Sequence, residues 1–395
     1  MDNPLFKLVN FSQGSYIILE GERKSPNFFI VKDGRVLVKR DFPVPGEKPS
    51  EVMNPGDFFG VVAAMSQYPQ IESAVAQTNV TLIAVSYNRF GELIQKNAPL
   101  AMKIIRSFSK KLRDMDKAQT GSKNPPSNTS SDLNILFNMA ENYFNQGNID
   151  SAVYLYQSYI KYQPEGEYIA QAKKKLKTLG RPEVGETTEG TNRSYQTGQM
   201  IFFEGEPGND LFIVQKGKIK ISKIINGNEV ILNIMKTGDI FGEMALLDNK
   251  PRSASATASE DVDLLAINKT NFETMTVSQP QLMSKIITLL SERIWNAYKK
   301  IANSYLPDIN ARMADMLMTM AERNRVKIGP REFHDFKIGA VEFLQMLGLT
   351  DRDTGTILKF VTSNKFIRID NDTIVCSDMA LLDRMVHQMR EKLKG

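Results

Sequence analysis

The feature that most constrains this chain is that it contains one stretch of sequence twice. Residues 14–39, GSYIILEGERKSPNFFIVKDGRVLVK, match residues 198–223, GQMIFFEGEPGNDLFIVQKGKIKISK, with one extra residue before Phe29. NPGDFFG (54–60) then matches KTGDIFG (236–242). Self-similarity at this separation marks two copies of one folding unit of roughly 110 residues. At 395 residues the chain is also too long for a single core, and two to four domains are expected.

Within each copy, short β-rich runs such as IFF, LFIV and KIKIS end at glycines, with Gly205, Gly217, Gly227 and Gly238 at the expected turns. Many short strands with glycine-bearing turns predict a small double-sheet, jelly-roll-like β-roll. A helical pattern follows each roll. In the second, Leu282, Ile286, Leu289, Leu290, Ile294, Tyr298 and Ile301 recur at helical spacing. Such a stripe serves either an intramolecular core or a helix–helix interface.

Composition excludes several classes. Hydrophobic residues make up 42% and charged residues 24%, as in a soluble globular protein. No run of 18 apolar residues suggests a membrane span, and MDNPLFKLVNF does not read as a secretory signal. The single cysteine, Cys376, permits no internal disulfide and reads as a small buried residue. The two histidines, His334 and His387, sit in no cluster with ligand spacing, so no metal site is expected. A net charge of +5 permits contact with nucleic acid without arguing for it.

The sharpest chemistry lies in FGEMALLDNKPRSASATA (241–258). A turn into a short helix exposes backbone N–H groups suited to an anion. Gly242 allows close backbone approach. Glu243 offers a carboxylate to a hydroxyl pair such as a ribose, and Arg252 a planar fork for a phosphate, with Ser253 and Ser255 beside it. Together they describe a pocket for a compact sugar phosphate. From about Tyr195 to Asn303 this copy resembles the cyclic-nucleotide-binding domain shared by the catabolite activator (Crp/Fnr) family and the cyclic-nucleotide-dependent kinases. The resemblance implies that Glu243 accepts the ribose 2′-hydroxyl and Arg252 holds the cyclic phosphate. It also implies that Ser253 and the amides around Gly242, Met244 and Ala245 complete the cradle. cAMP is the default ligand. The family's usual hydroxyl pair for the base is missing, and Tyr298 or Trp295 could stack on a purine instead.

The first copy reads FGVVAAMSQYPQIESAVA (59–76). Gly56, Phe59, Gly60, Ala63 and Pro69 keep the frame, but the acid has become Val61 and the arginine Gln70. Two readings follow. Either this roll is a structural duplicate, or it binds something else, such as a cyclic dinucleotide held by Lys39 and Arg40.

Between the copies, LFNMAENYFNQGNIDSAVYLYQSYIKYQP (136–164) resembles one tetratricopeptide repeat, with Ala140, Tyr143, Gly147, Ala152, Tyr156 and Pro164 at its characteristic positions. One repeat cannot bury its own apolar face, so it must pack on the rolls, on a second subunit or on a protein partner. From Leu306 the chain resembles the winged helix-turn-helix of the same bacterial family, whose fold places a helix in the major groove. The recognition segment departs from that family's pattern, reading Thr350-Asp351-Arg352-Asp353-Thr354-Gly355-Thr356. Residues 308–395 carry fourteen Lys and Arg against thirteen Asp and Glu, without the basic excess usual for DNA binding. Arg352, Thr356 and Lys359, with Lys365 and Arg368, are the candidate DNA contacts. The competing reading is a protein-interaction module.

The sequence thus predicts an α+β multidomain chain: a degenerate roll (1–116), a linker (117–132), a tetratricopeptide-like helical insert (133–180), a linker (181–194), a cyclic-nucleotide-binding roll with a long helix (195–305) and a winged helix (306–395). It predicts a cytoplasmic, cyclic-nucleotide-responsive regulator, homodimeric and bound to DNA, with no catalytic cluster. The alternative is a nucleotide-sensing or cyclic-dinucleotide-sensing adaptor acting through protein partners.

Overall fold

The computed structural model describes residues 6–24, 26–44, 47–120, 134–183, 190–225, 228–248, 250–347, 349 and 354–392. Gly227, most of the first expected linker and the middle of the second lie outside these residues.

The first roll comprises β1 (Lys7–Phe11), β2 (Tyr16–Ile18), β3 (Asn27–Asp33), β4 (Val36–Lys39), β5 (Ser50–Met53), β6 (Phe58–Phe59), β7 (Ser73–Ala76) and β8 (Val80–Ser86). A short helix, α1 (Val61–Ser66), interrupts it, and α2 (Phe90–Lys96) and α3 (Ala98–Thr120) follow. Its two antiparallel sheets have the orders β1-β8-β3-β6 and β2-β7-β4-β5. Alternate residues of the facing strands, among them Val31, Val36, Val38, Ala74 and Leu82, fill the space between the sheets.

The second roll comprises β9 (Asn192–Tyr195), β10 (Met200–Phe202), β11 (Asp210–Lys216), β12 (Ile219–Ile225), β13 (Asn228–Met235), β14 (Ile240–Phe241), β15 (Ser255–Ala258) and β16 (Val262–Asn268). Its sheets are β9-β16-β11-β14 and β10-β15-β12-β13, the same orders strand for strand. The sequence duplication is therefore a duplication of topology. Phe202, Phe212, Val214, Ile219, Phe241 and Leu264 form its core. A short helix, α7 (Glu243–Asp248), takes the place of α1, and α8 (Lys269–Ser278) and α9 (Pro280–Ser304) follow.

The insert is α4 (Asn134–Asn145), α5 (Ile149–Tyr162) and α6 (Ile169–Thr178). The Asn148 side chain caps α5 by accepting the Ser151 N–H at 3.3 Å. Leu136, Phe137, Tyr143, Tyr156, Tyr159 and Leu176 pack against Met200 and Phe203 of the second roll, so the insert's apolar face is closed within the chain.

After α9 come α10 (Ile309–Arg323), β17 (His334–Asp335), α11 (Ala340–Met346), α12 (Thr354–Ser363), β18 (Ile367–Asp370), β19 (Thr373–Cys376) and α13 (Met379–Glu391). The strands pair in the order β17-β19-β18 and pack with the helices around Leu317, Phe343, Ile357 and Phe360. Cys376 is fully buried, and burial pushes its thiol up to about 11. Among the described residues no helix is long and apolar enough to cross a membrane.

The chain forms two compact units whose boundaries differ from the sequence division. One contains Met1–Phe90 with Ser291–Gly395, and the other contains Gly91–Leu290. The helix following the first roll therefore belongs with the second roll, where α3 packs on α7 and α8. The last part of α9 belongs with the first roll. The chain boundaries also shift. α3 continues to Thr120, into the stretch read as linker, and β9 begins at Asn192, inside the second one.

Candidate functional site

In the second roll, Arg252 is the centre of the expected site, and its backbone is tied down before its side chain is considered. Its N–H donates to Glu206 O at 2.8 Å, and its carbonyl accepts the Gly205 N–H at 2.9 Å. The guanidinium then lies over Phe202, with Cζ 4.1 Å from the ring centroid. Nη1 donates to the carbonyls of Asp210 and Gly242, each at 2.7 Å. Two glycines make room for it. A Cβ at Gly208 would lie 2.3 Å from Arg252 Nε, and one at Gly242 would lie 2.6 Å from Nη1. Gly242 also has φ +76°, which other residues adopt only with strain.

This leaves a cation 6% exposed whose Nε has no hydrogen-bond partner among the described residues. Burial lowers the Arg252 pKa, while Glu206, Asp210 and Glu243 act in the opposite direction. An arginine remains charged under such a shift. An unspent buried donor beside a carboxylate fits a ligand carrying an anion next to a hydroxyl.

The remaining cassette residues gather here. Glu243, 1% exposed, opens α7 directly after Gly242, and Met244 and Ala245 are buried behind it. Ser253 Oγ lies 3.6 Å from Met244 Sδ. The Arg113 guanidinium of α3 donates to Pro251 O at 3.0 Å, and Lys223 pairs with Glu204 at 3.4 Å. Burial, with Asp116 of α3 adding to it, raises the Glu204 pKa, and Lys223 opposes that.

Tyr298 is not part of this assembly, contrary to the sequence expectation. It is a contact of the first roll, where its hydroxyl donates to Glu20 Oε1 at 2.7 Å and accepts the Phe42 N–H at 3.3 Å. Burial and the Glu20 carboxylate both push its phenol pKa upward. Trp295 is likewise spent there, donating Nε1–H to Pro69 O at 2.9 Å with its ring 4.7 Å from Tyr68.

The first cassette is filled by its own side chains. The Gly60 N–H donates to Glu72 Oε1 at 3.0 Å. Glu72 pairs with Arg40 at 3.6 Å, and Arg40 also pairs closely with Glu47. Burial alone would lower the Arg40 pKa, but Glu72 and Glu47 together raise it. Gln70 occupies the position corresponding to Arg252. It is 3% exposed, and both polar atoms of its amide lack partners among the described residues. Arg40, one of the two basic residues considered for a dinucleotide, is thus already neutralised by carboxylates. Lys39 is exposed and lies over Tyr16.

Two regions of the chain match the cyclic nucleotide-binding domain family, residues 8–97 and 192–278. The chain carries two cyclic nucleotide-binding domains. The CRP-like cAMP-activated global transcriptional regulator of Mycobacterium tuberculosis is 28% identical over 193 residues, covering 48% of this chain and 85% of that protein. The cyclic AMP receptor protein of Thermus thermophilus is 27% identical over 194 residues, covering 49% and 87%. The solved Thermus thermophilus catabolite activator protein is 26% identical, covering 50% of this chain and 90% of that one, with a TM-score of 0.29. Of the two cyclic nucleotide-binding domains, only the second carries the acid and the arginine.

The expected DNA contacts are dispersed. Arg352 lies outside the described residues. On α12, Thr356 is half-buried, and the outward face carries Gly355, Leu358, Lys359 and Thr362. Leu358 is 52% exposed. Among the described residues there is no group of His, Cys, Asp and Glu that could hold a metal. Sequence reading missed Glu72, which follows Gln70 by two residues and reads as an ordinary surface acid. It also missed Glu206, whose partners lie in a different segment.

Proposed function

We propose that this chain is a cytoplasmic, cyclic-nucleotide-responsive transcription regulator of the catabolite activator type. Its second domain binds a cyclic mononucleotide, with cAMP the favoured ligand. Arg252 Nε and Nη2 take the phosphate, Glu243 takes the ribose hydroxyl, and Ser253 with the backbone around Gly242, Met244 and Ala245 closes the cradle. The observation that carries this reading is the buried Arg252 guanidinium, held between Gly208 and Gly242 with Nε unspent.

With Tyr298 engaged elsewhere, recognition of the base falls to α3, which packs on α7 and presents Arg113 and Asp116. The C-terminal elements act as a winged helix, with Arg352, Thr356 and Lys359 as DNA contacts. The chain acts as a homodimer, and a monomer by light scattering at micromolar concentration, with and without cAMP, would contradict this.

The test is calorimetric titration of wild type and Arg252→Ala with cAMP, cGMP and a cyclic dinucleotide. Loss of the cation should weaken cyclic-mononucleotide binding by about two to four decades. Unchanged affinity in Arg252→Ala would refute the site. Binding of the dinucleotide alone would refute the ligand class.

The second reading, a nucleotide-sensing adaptor without DNA contact, is supported by the exposed Leu358 on α12, where a cation would be expected. Gel shifts with and without cAMP separate the two. DNA binding requires retardation that weakens with salt.

A further inference from the structure

The segment carrying the key cassette residue is bridged to the same loop in both domains. In the first, Gly21 N–H donates to Gln70 O at 2.8 Å and Gln70 N–H to Glu22 O at 2.9 Å. In the second, Gly205, Arg252 and Glu206 repeat that pair of bonds. The backbone bridge belongs to the fold, and the side chain at its end differs. Glu22 is exposed, whereas Glu206 is half-buried and lies against α5 of the insert.

Tyr154 hydroxyl donates to Glu206 Oε2 at 2.8 Å and lies 3.3 Å from Ile201 O. Tyr162 hydroxyl donates to Glu206 Oε1 at 3.4 Å, and the Phe203 N–H donates to Oε2 at 3.1 Å. The rings of Tyr154 and Tyr162 flank Phe203 edge-on, each with its centroid 6.3 Å away. The two tyrosines are eight residues apart, about two turns of α5, so one helix grips the loop at both carboxylate oxygens.

We propose that Tyr154, Tyr162 and Glu206 are positioning residues for the nucleotide pocket: the insert fixes the loop to which the Arg252 backbone is bonded, and so sets where the guanidinium meets the phosphate. This rests on the reading of the second domain as the ligand site. Linkage is reciprocal, so nucleotide held by Arg252 must in turn tighten the insert's hold on the loop. The insert is then a device that tunes the sensor, and the first domain, with Glu22 exposed, lacks it.

The experiment uses the full chain as wild type, Tyr154→Phe/Tyr162→Phe, Glu206→Ala, Glu206→Gln, the triple variant Tyr154→Phe/Tyr162→Phe/Glu206→Ala, and Glu22→Ala. Phenylalanine keeps the ring packing and removes only the hydroxyls. Hydrogen exchange of the amides of Gly205 and Arg252, measured without ligand, should quicken about tenfold in the double tyrosine variant. cAMP affinity should fall by about the same factor. Glu206→Ala should show the same effect, and adding the tyrosine changes to it should do nothing more. Glu206→Gln, which keeps one acceptor, should recover part of the loss, and Glu22→Ala should change neither readout. Unchanged exchange in the tyrosine variant, or effects that simply add in the triple variant, would overturn the proposal. If exchange quickens as expected but wild type binds no cyclic mononucleotide, the coupling stands and the ligand reading fails.

Discussion

The two cassettes share a frame and differ in what fills it. In the second, Gly208 and Gly242 make room for Arg252, whose Nε is an unspent donor. In the first, Glu72 takes the Gly60 amide, and Arg40 is shared between Glu72 and Glu47. Their surroundings differ as well. The second cassette meets α3 and, through Glu206, the insert. The first meets the end of α9 and the C-terminal region: Trp295 bonds Pro69, Arg325 Nη2 donates to Ser66 O at 3.2 Å, and Arg23 pairs with Asp383. In the first copy the remaining acid and cation pair with each other, and Gln70 stands where Arg252 stands in the second.

The largest effect should come from breaking the self-filled cassette. Arg40→Ala leaves the buried Glu72 and the half-buried Glu47 without their cation and should destabilise the unit by about 3–5 kcal/mol, seen as a lowered midpoint in chemical denaturation. Full stability in this variant would mean that the first cassette is not held by its ion pairs. Trp295→Phe keeps most of the ring but removes the bond to Pro69 O. It should cost about 1–2 kcal/mol and leave cAMP affinity in the second domain unchanged. A large loss of affinity would erase the division of labour between the cassettes.

The smallest effect is a pH dependence. Glu20 is half-buried, and loss of solvent together with nearby Asp41 raises its pKa from 4.5 to about 7. The folded state therefore binds a proton that the unfolded state has released, and stability from this group is full below about pH 4.5 and is lost as pH rises through about 7. Wild type should lose stability between about pH 4.5 and 7, and little beyond, relative to Glu20→Gln, whose amide cannot ionise. Parallel pH profiles for the two proteins would contradict this.

The rolls were legible because strand alternation and turn glycines are local signals, and the duplication doubled them. That Arg252 and Glu243 belong to one cassette was legible from their spacing, and the structure buries both. The exchange of helices was not. The stripe Leu282 to Ile301 shows that one face is buried but does not identify the surface that covers it. For the same reason, Tyr298 read as a base contact although it serves Glu20. The grip of Tyr154 and Tyr162 on Glu206 joins residues more than forty positions apart, and neither segment signals the other.

The central claim is that one cassette senses and the other holds. The most direct test is the stoichiometry of cAMP binding by calorimetry on wild type, Arg252→Ala and Gln70→Arg. The account predicts one nucleotide per chain for wild type, none for Arg252→Ala at the same concentrations, and still one for Gln70→Arg, because Glu72 already occupies the Gly60 amide. Two nucleotides per wild-type chain, or one retained by Arg252→Ala, would contradict it.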